Sequence, residues 1–362
     1  MGSRHRIFAA MNPNGKGAEE RQDIRRFGPE QLEAELLSWG EKKFRAKQVT
    51  EWIWKHSATS FNQMTNLSKD LRSRLAERFE FRAITIDEEQ HSKDGTVKCR
   101  FRLHEGHMIE GVLIPTPDRL TACVSSQVGC SLSCSFCATG LLGLKRNLDP
   151  AEIYDQVVLL NQKAMETAGR PLTNIVFMGM GEPLLNYRNV LGGIELITSE
   201  RGLGISSKRI TVSTAGIAKM IRKLGDDKVK FNLALSLHHT TDEDRSRIMA
   251  INDSNSLEAL VDALRYFYQQ TRGRITFEYI LFDGLNESPA DARRLVDLCR
   301  RVPGAKVNII EYNPVEGLDF SKSKADQRDR FIEYLERNRV TAVVRRSRGK
   351  DIDAACGQLA NK

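Results

Sequence analysis

From Leu120 onward, short apolar runs alternate with stretches of helical periodicity, and this alternation restricts the fold more than any other feature. The strand-like runs are Ala122–Ser125, Asn174–Met178, Arg209–Ser213, Phe231–Ser236, Ile275–Leu281, Val307–Glu311 and Thr341–Val344. Helical patterns lie between them at Leu257–Gln270, Pro289–Arg301 and Ala325–Arg337. Another begins with Asp149 as N-cap, Pro150 at the first helical position and Glu152 at the third, residues suited to the unpaired N–H groups of a helix start. Repeated strand–helix units require right-handed crossovers and a parallel sheet. About six repeats are too few to close an eight-fold barrel, so the expected class is α/β, an open partial (β/α)6 barrel over 116–350 with its ligand site at the C-terminal strand ends.

The chain before this core divides into three parts. Residues 1–27 are polar, with Asn12–Gly17 rich in Asn and Gly, and read as a flexible tail. Residues 28–80 form a small helical domain, because Gln31–Leu37, Ala46–Trp54 and Lys69–Phe79 repeat apolar side chains at spacings of three and four. Ser68 is placed to cap the third helix. Trp52 and Trp54 could stack on bases, but aromatics in so small a domain are the usual core, and at least one is assigned there. Residues 81–115 form a section of short antiparallel strands at Phe81–Glu88, Val97–Leu103 and Met108–Ile114, with Asp94-Gly95 as a turn and Pro115 and Pro117 as the end. Residues 351–362 are left as a C-terminal tail.

Three cysteines concentrate the chemistry: Cys130, Cys134 and Cys137. A structural zinc site closes with four protein ligands. Disulfides favour even counts and oxidising compartments, whereas this chain has seven cysteines and no secretory signal. An iron–sulfur cluster held by three thiolates fits better, since its fourth iron stays open to another ligand. No apolar run approaches the roughly 20 residues that span a membrane. A cytoplasmic protein, with reduced thiols, is expected. Lys and Arg outnumber Asp and Glu by 55 to 47, a net charge of +8. The segment Lys322–Lys350 carries ten basic and four acidic residues, hence six of that excess, and leads into Cys356. A solvated helix face is the ordinary reading of such a run; its approach to Cys356 favours instead a contact with the phosphates of a polyanionic partner.

The Cys-x3-Cys-x2-Cys spacing resembles the signature of the radical S-adenosyl-L-methionine (SAM) superfamily. The texts Cys123-Val-Ser-Ser-Gln-Val-Gly-Cys130 and Asp351-Ile-Asp-Ala-Ala-Cys356-Gly-Gln-Leu are similar to those of the RlmN/Cfr group of RNA adenine methyltransferases. Phe44–Gln48 and Met64–Leu67 resemble the group's N-terminal accessory domain, which holds RNA. The resemblance implies a [4Fe-4S] cluster on Cys130, Cys134 and Cys137, and SAM contacts from Gly181, Glu182, Ser213, Ser236, Leu237, His238 and Asn313. His239 stands where alanine is expected. It also implies that Cys356 takes a methyl group from one SAM, that a radical made from a second SAM activates it for addition to adenine, that Glu110 removes the proton from the attacked carbon, and that Cys123 resolves the product through a transient disulfide with Cys356. Cys99 and Cys299 lack such context, and Cys299, beside Leu295 and Leu298, reads as packing. The implied substrates are 23S rRNA at the peptidyl-transferase centre and tRNA 3′ of the anticodon, both methylated at adenine C2, with a flavodoxin- or ferredoxin-type electron donor and a monomeric enzyme. Cfr-like C8 methylation is one alternative. The other, from a different class, is a non-catalytic RNA-binding protein holding zinc through the three cysteines.

Overall fold

The structure, a computed structural model, describes residues 21–361. Two compact units are present, one ending at Phe81 and the other formed by residues 54–57 and 82 onward. In the small unit the helices Pro29–Ser38, Phe44–Trp54 and Lys69–Arg78 bury Leu32, Leu36, Val49, Leu71 and Leu75. Ser68 caps the third of these helices by accepting the Leu71 N–H at 3.2 Å, as its position predicts. The expected flexible tail through residue 27 is corrected for its last part. Gln22–Asp23 pairs in parallel with Phe79–Glu80, and Ile24 is buried, because this apolar side chain closes the small core. Residues 1–20 lie outside the described residues.

Among the described residues of the large unit, ten strands form one sheet: β1 (Thr85–His91), β2 (Val97–Arg102), β3 (Met108–Thr116), β4 (Arg119–Cys123), β5 (Asn174–Phe177), β6 (Ile210–Thr214), β7 (Asn232–Ser236), β8 (Ile275–Leu281), β9 (Lys306–Glu311) and β10 (Ala342–Arg345). Spatial order follows chain order. β1 to β4 are antiparallel and β4 to β10 are parallel, so β4 belongs to both parts. Residues 81–115 are therefore not a section apart from the core, but the extension of its sheet. The first strand also starts later than Phe81, whose ring packs against Phe61 in the small unit at a centroid distance of 4.9 Å. Pro115 stays within β3 opposite Leu120, beside the hairpin turn, rather than ending the strand.

Helices Pro150–Ala168, Tyr187–Thr198, Ala218–Asp226, Leu257–Thr271, Pro289–Arg301 and Ala325–Arg337 lie in the crossovers between consecutive parallel strands. The Asp149 start forms both capping-box bonds, Glu152 N–H to Asp149 and Asp149 N–H to Glu152, each 2.9 Å. Val212, Leu233, Phe277 and Val307 are buried in the strands, as a parallel sheet beneath helices requires. Seven parallel strands in this order make the open partial barrel, and their C-terminal ends gather the residues described next.

Candidate active site

The Cys130–Cys137 segment leaves the end of β4 through a bend fixed by Gly129. This residue has φ 77°, and a Cβ there would lie 1.8 Å from the Gly143 carbonyl oxygen, so only glycine fits. Tight turns then fold the loop on itself: Cys137 N–H donates to Cys134 O at 3.1 Å and Gly140 N–H to Cys137 O at 3.1 Å. Cys130, Cys134 and Cys137 all open into one cavity at the strand ends. Burial raises all three thiols, Cys130 to about 11, and the Cys134 thiol is raised further by Cys137 and Cys130 beside it. Three soft donors crowded into one partly buried cavity destabilise one another as free thiolates and suit a shared cationic centre. The donor set thus fits a cluster held by three thiolates.

The opposite wall comes from β5 to β8. Gly181 has φ 97°, and a Cβ there would come within 2.5 Å of the Gln127 side chain. Glu182 is buried in the cavity wall, where its carboxylate accepts the N–H groups of Leu184 at 2.9 Å and Ala215 at 2.7 Å while burial raises its pKa. Ser213 and Ser236 line the cavity from the ends of β6 and β7. His238 lines it too, in a left-handed conformation with φ 54°. Its Nδ1 accepts the Ile280 N–H at 3.2 Å, and burial, reinforced by the Arg245 charge, lowers its pKa to about 3. The imidazole is therefore neutral at physiological pH, with its proton on Nε2. The Leu237 side chain is absent from the cavity lining and buried in the core; its main chain joins β8 through a 3.0 Å bond to the Glu278 carbonyl. His239 is buried with its Nδ1 accepting the Thr240 N–H, so histidine in place of alanine is absorbed away from the cavity lining.

The C-terminal segment closes the site. Cys356 and Gly357 line the first cavity, and Cys356 also lines a second one that contains Cys123. Cys123 and Cys356, distant in sequence, are thus brought together. Asn313 does not line the first cavity; its Nδ2 holds the Cys356 carbonyl at 3.4 Å. Glu110 lines neither cavity. Fully buried on β3, it has Lys98 Nζ 3.5 Å from one carboxylate oxygen and accepts the Ala360 N–H at 2.9 Å with the other. The C-terminal segment thus covers Glu110.

Residues that the sequence reading passed over complete the walls. Arg345, the last residue of β10, lines both cavities, with Nη1 2.9 Å from Met178 Sδ and 3.6 Å from Glu278. Asn308 holds the other Glu278 oxygen at 2.8 Å. Arg245, fully buried, donates to the carbonyls of Leu237, Ser236 and Ala215 and to Asn252. The rule that strand ends carry the site would have singled out Arg345. Instead it was grouped with the basic run, several of whose cations are already paired: Lys322, Arg328 and Lys350 converge on Glu311 at 3.0, 2.8 and 3.1 Å. Trp54 packs edge-on against Tyr154, and Trp52 donates to Asn66 at 2.6 Å.

Comparison with known proteins places this arrangement. Residues 22–81 match the family described as ribosomal RNA large subunit methyltransferase N-terminal domain, and residues 124–296 match the radical SAM superfamily. The latter match displaces the zinc alternative for the three cysteines. A protein from Cytophaga hutchinsonii named "Probable dual-specificity RNA methyltransferase RlmN" is 56% identical over 339 residues, covering 94% of this chain and 93% of its own. The "Dual-specificity RNA methyltransferase RlmN" of Anaeromyxobacter dehalogenans is 45% identical over 346 residues, with 94% and 92% covered. The crystal structure of a radical SAM methyltransferase from Sphaerobacter thermophilus superposes with a TM-score of 0.89 at 40% identity, covering 94% of this chain and all of that one.

Proposed function

Because the chain belongs to the RlmN family of dual-specificity RNA methyltransferases, we propose that it methylates C2 of an adenosine in 23S rRNA and in tRNA through a methyl carried on Cys356. The observation that carries this reading is the position of Cys356, on the wall common to the three-cysteine cavity and the cavity of Cys123. One sulfur there faces both a cofactor space and a partner thiol. Cys130, Cys134 and Cys137 would hold a [4Fe-4S] cluster, while Gly181, Glu182, Ser213, Ser236 and His238 would receive SAM, with Leu237 and Asn313 shaping that wall from behind. When bound, these groups supply an electron, a methyl group and a hydrogen-abstracting radical.

The protein's own residues then divide the labour. Cys356, half-buried and held by Asn313 at its carbonyl, is the nucleophile that takes the methyl group. Neutral His238 and buried Glu182 keep the cavity wall fixed through main-chain bonds to β6 and β8. Glu110 accepts the proton of the attacked carbon, for which the Ala360 N–H must leave its carboxylate as the C-terminal segment shifts. Cys123 displaces the product carbon from Cys356. Adenine C2 lies on the base edge, so the nucleotide enters unpaired or turned out of its stack. No helix among the described residues is long and apolar enough to cross a membrane. The proposal is of a monomeric cytoplasmic enzyme served by a flavodoxin- or ferredoxin-type donor.

The test is nucleoside mass spectrometry of unmodified rRNA and tRNA after anaerobic incubation with reconstituted protein, SAM and reductant. 2-Methyladenosine in both RNAs is expected. 8-Methyladenosine would transfer the protein to Cfr-like chemistry, and methylation of one RNA alone would remove the dual specificity.

A further inference from the structure

Cys123 is buried to 6% exposure at the end of β4, in the cavity it shares with Cys356. The charged and titratable groups facing it there are Arg345, Arg346 and Arg348 from the end of β10 and the segment after it, with Cys356 itself; β3 contributes only Ile114, β9 only Ile310 and the turn after β5 only Met178. No carboxylate lines this cavity. Of the three guanidinium groups, Arg348 is drawn toward Asp94 at 3.8 Å, and only Arg345 also lines the first cavity. Arg345 is fixed in turn, by Met178 Sδ at 2.9 Å and by Glu278, itself held by Asn308. Arg345 is thus an anchored cation in the cavity that holds both sulfurs.

We propose that Arg345 is a positioning residue for product release, acting through Cys123 by favouring its thiolate when the sulfur must attack. This rests on the catalytic reading above. In that step the Cys123 sulfur forms a bond to Cys356 sulfur while the bond from Cys356 sulfur to the carbon on adenine breaks. The electron pair stays with the carbon, which takes up a proton to become the methyl group; the two cysteines are oxidised to a disulfide and the carbon is reduced. Only the thiolate is an effective nucleophile for such displacement. Burial, with Cys356 adding to the rise, pushes the Cys123 thiol up to about 12 even with Arg345 as the cation opposing it. Reciprocally, the Cys356 and Cys123 sulfurs both favour the charged form of Arg345. Removing the guanidinium raises the Cys123 pKa further, so less thiolate is present at a given pH and release shifts to higher pH.

The experiment follows the covalent protein–RNA adduct on denaturing gels in single-turnover reactions across a pH series, with an RNA fragment carrying the target adenosine. Cys123→Ala must trap the adduct, and failure to do so overturns the catalytic reading itself. Given that control, Arg345→Met is expected to accumulate adduct that decays about tenfold more slowly near pH 7.5, with its pH profile displaced upward by about one unit. Arg345→Lys, which keeps a cation, should restore a profile close to the parent. Decay in Arg345→Met with the parent rate and profile overturns the inference, as does a lysine variant as slow as the methionine one. The unaltered protein supplies a check independent of any variant's folding. Its adduct decay should rise roughly tenfold per pH unit between pH 7 and 9, because the Cys123 thiol is little ionised there, and a rate independent of pH would show that formation of the Cys123 thiolate does not govern release and overturn the inference.

Discussion

The two sets of cysteines in this site are built in opposite ways. Cys130, Cys134 and Cys137 occupy one short loop, held by a turn bond between Cys134 and Cys137 and by a glycine that nothing larger can replace. Cys123 and Cys356 come from a strand end and from the C-terminal segment, and they meet only because the sheet and that segment are in place. The segment is attached by separate bonds: Ala138 N–H to Gly357 O at 2.8 Å, Thr139 Oγ1 to Leu359 O at 2.7 Å, Gln358 Nε2 to Pro314 O at 3.0 Å and Ala360 N–H to Glu110 at 2.9 Å. A loop folded by its own turns provides a fixed seat. A segment attached by separate polar bonds and by a few buried side chains, Ala354, Ala355 and Leu359, can dock and undock at lower cost than the sheet, which suits the carrier role proposed for Cys356.

The largest expected effect separates the two sets directly. Replacing Cys134 with alanine should abolish iron binding, the visible absorbance and all RNA methylation together, since two thiolates cannot hold the cluster. Cys123→Ala and Cys356→Ala should retain full iron content and absorbance while losing product release or methyl acceptance. Iron analysis with visible spectra checks this, and loss of iron in Cys123→Ala would mean that the two sets are one structural unit.

That contrast also explains what could be read from the chain alone. The loop was legible because its chemistry is local: three thiols within eight residues need no knowledge of the fold. Helix starts at Ser68 and Asp149 were legible for the same reason, and their capping bonds form as expected. Cys123, Cys356 and Glu110 had no local signal and rested on resemblance. For Glu110 the chain could not show that Lys98, on the neighbouring strand and two residues from its cross-strand partner Arg100, would reach it diagonally, or that Ala360 would cover it. Arg345 read as one of many surface cations because sequence cannot tell which side chain of a basic run turns inward. The sheet shared by residues 81–115 and the core was hidden too, since β4 reads as a parallel strand until its antiparallel partner β3 is seen.

A second prediction tests the wall beside Glu110. Lys98 is 3% exposed and Glu110 wholly buried, so Lys98→Met strands a carboxylate without its cation. Loss of one partner from such a pair costs about 3–5 kcal/mol, whereas replacing both is far milder. Chemical denaturation should show that loss for Lys98→Met and recovery of most of it in Lys98→Met/Glu110→Gln. A Lys98→Met protein as stable as the parent would mean that the pair is dispensable to the fold and leave Lys98 without a structural role.

The smallest effect addresses docking of the carrier segment alone. Gln358 anchors it by donating to the Pro314 carbonyl at 3.0 Å and shapes its turn by accepting the Ala355 N–H at 3.2 Å, so Gln358→Met keeps the bulk and removes both bonds. Each net hydrogen bond contributes about 1 kcal/mol, and 1 kcal/mol multiplies the undocked population about fivefold. Alkylation of Cys356 by iodoacetamide should therefore quicken by at least about that factor. Iron content should not change, because the three-cysteine loop keeps its own turns. If Cys356 reacts no faster, Gln358 does not govern docking, and the bonds at Thr139, Ala138 and Glu110 must hold the segment without it. If iron is lost as well, the loop depends on the segment that crosses it, and Gly357 bonding to Ala138 is the contact through which it would do so.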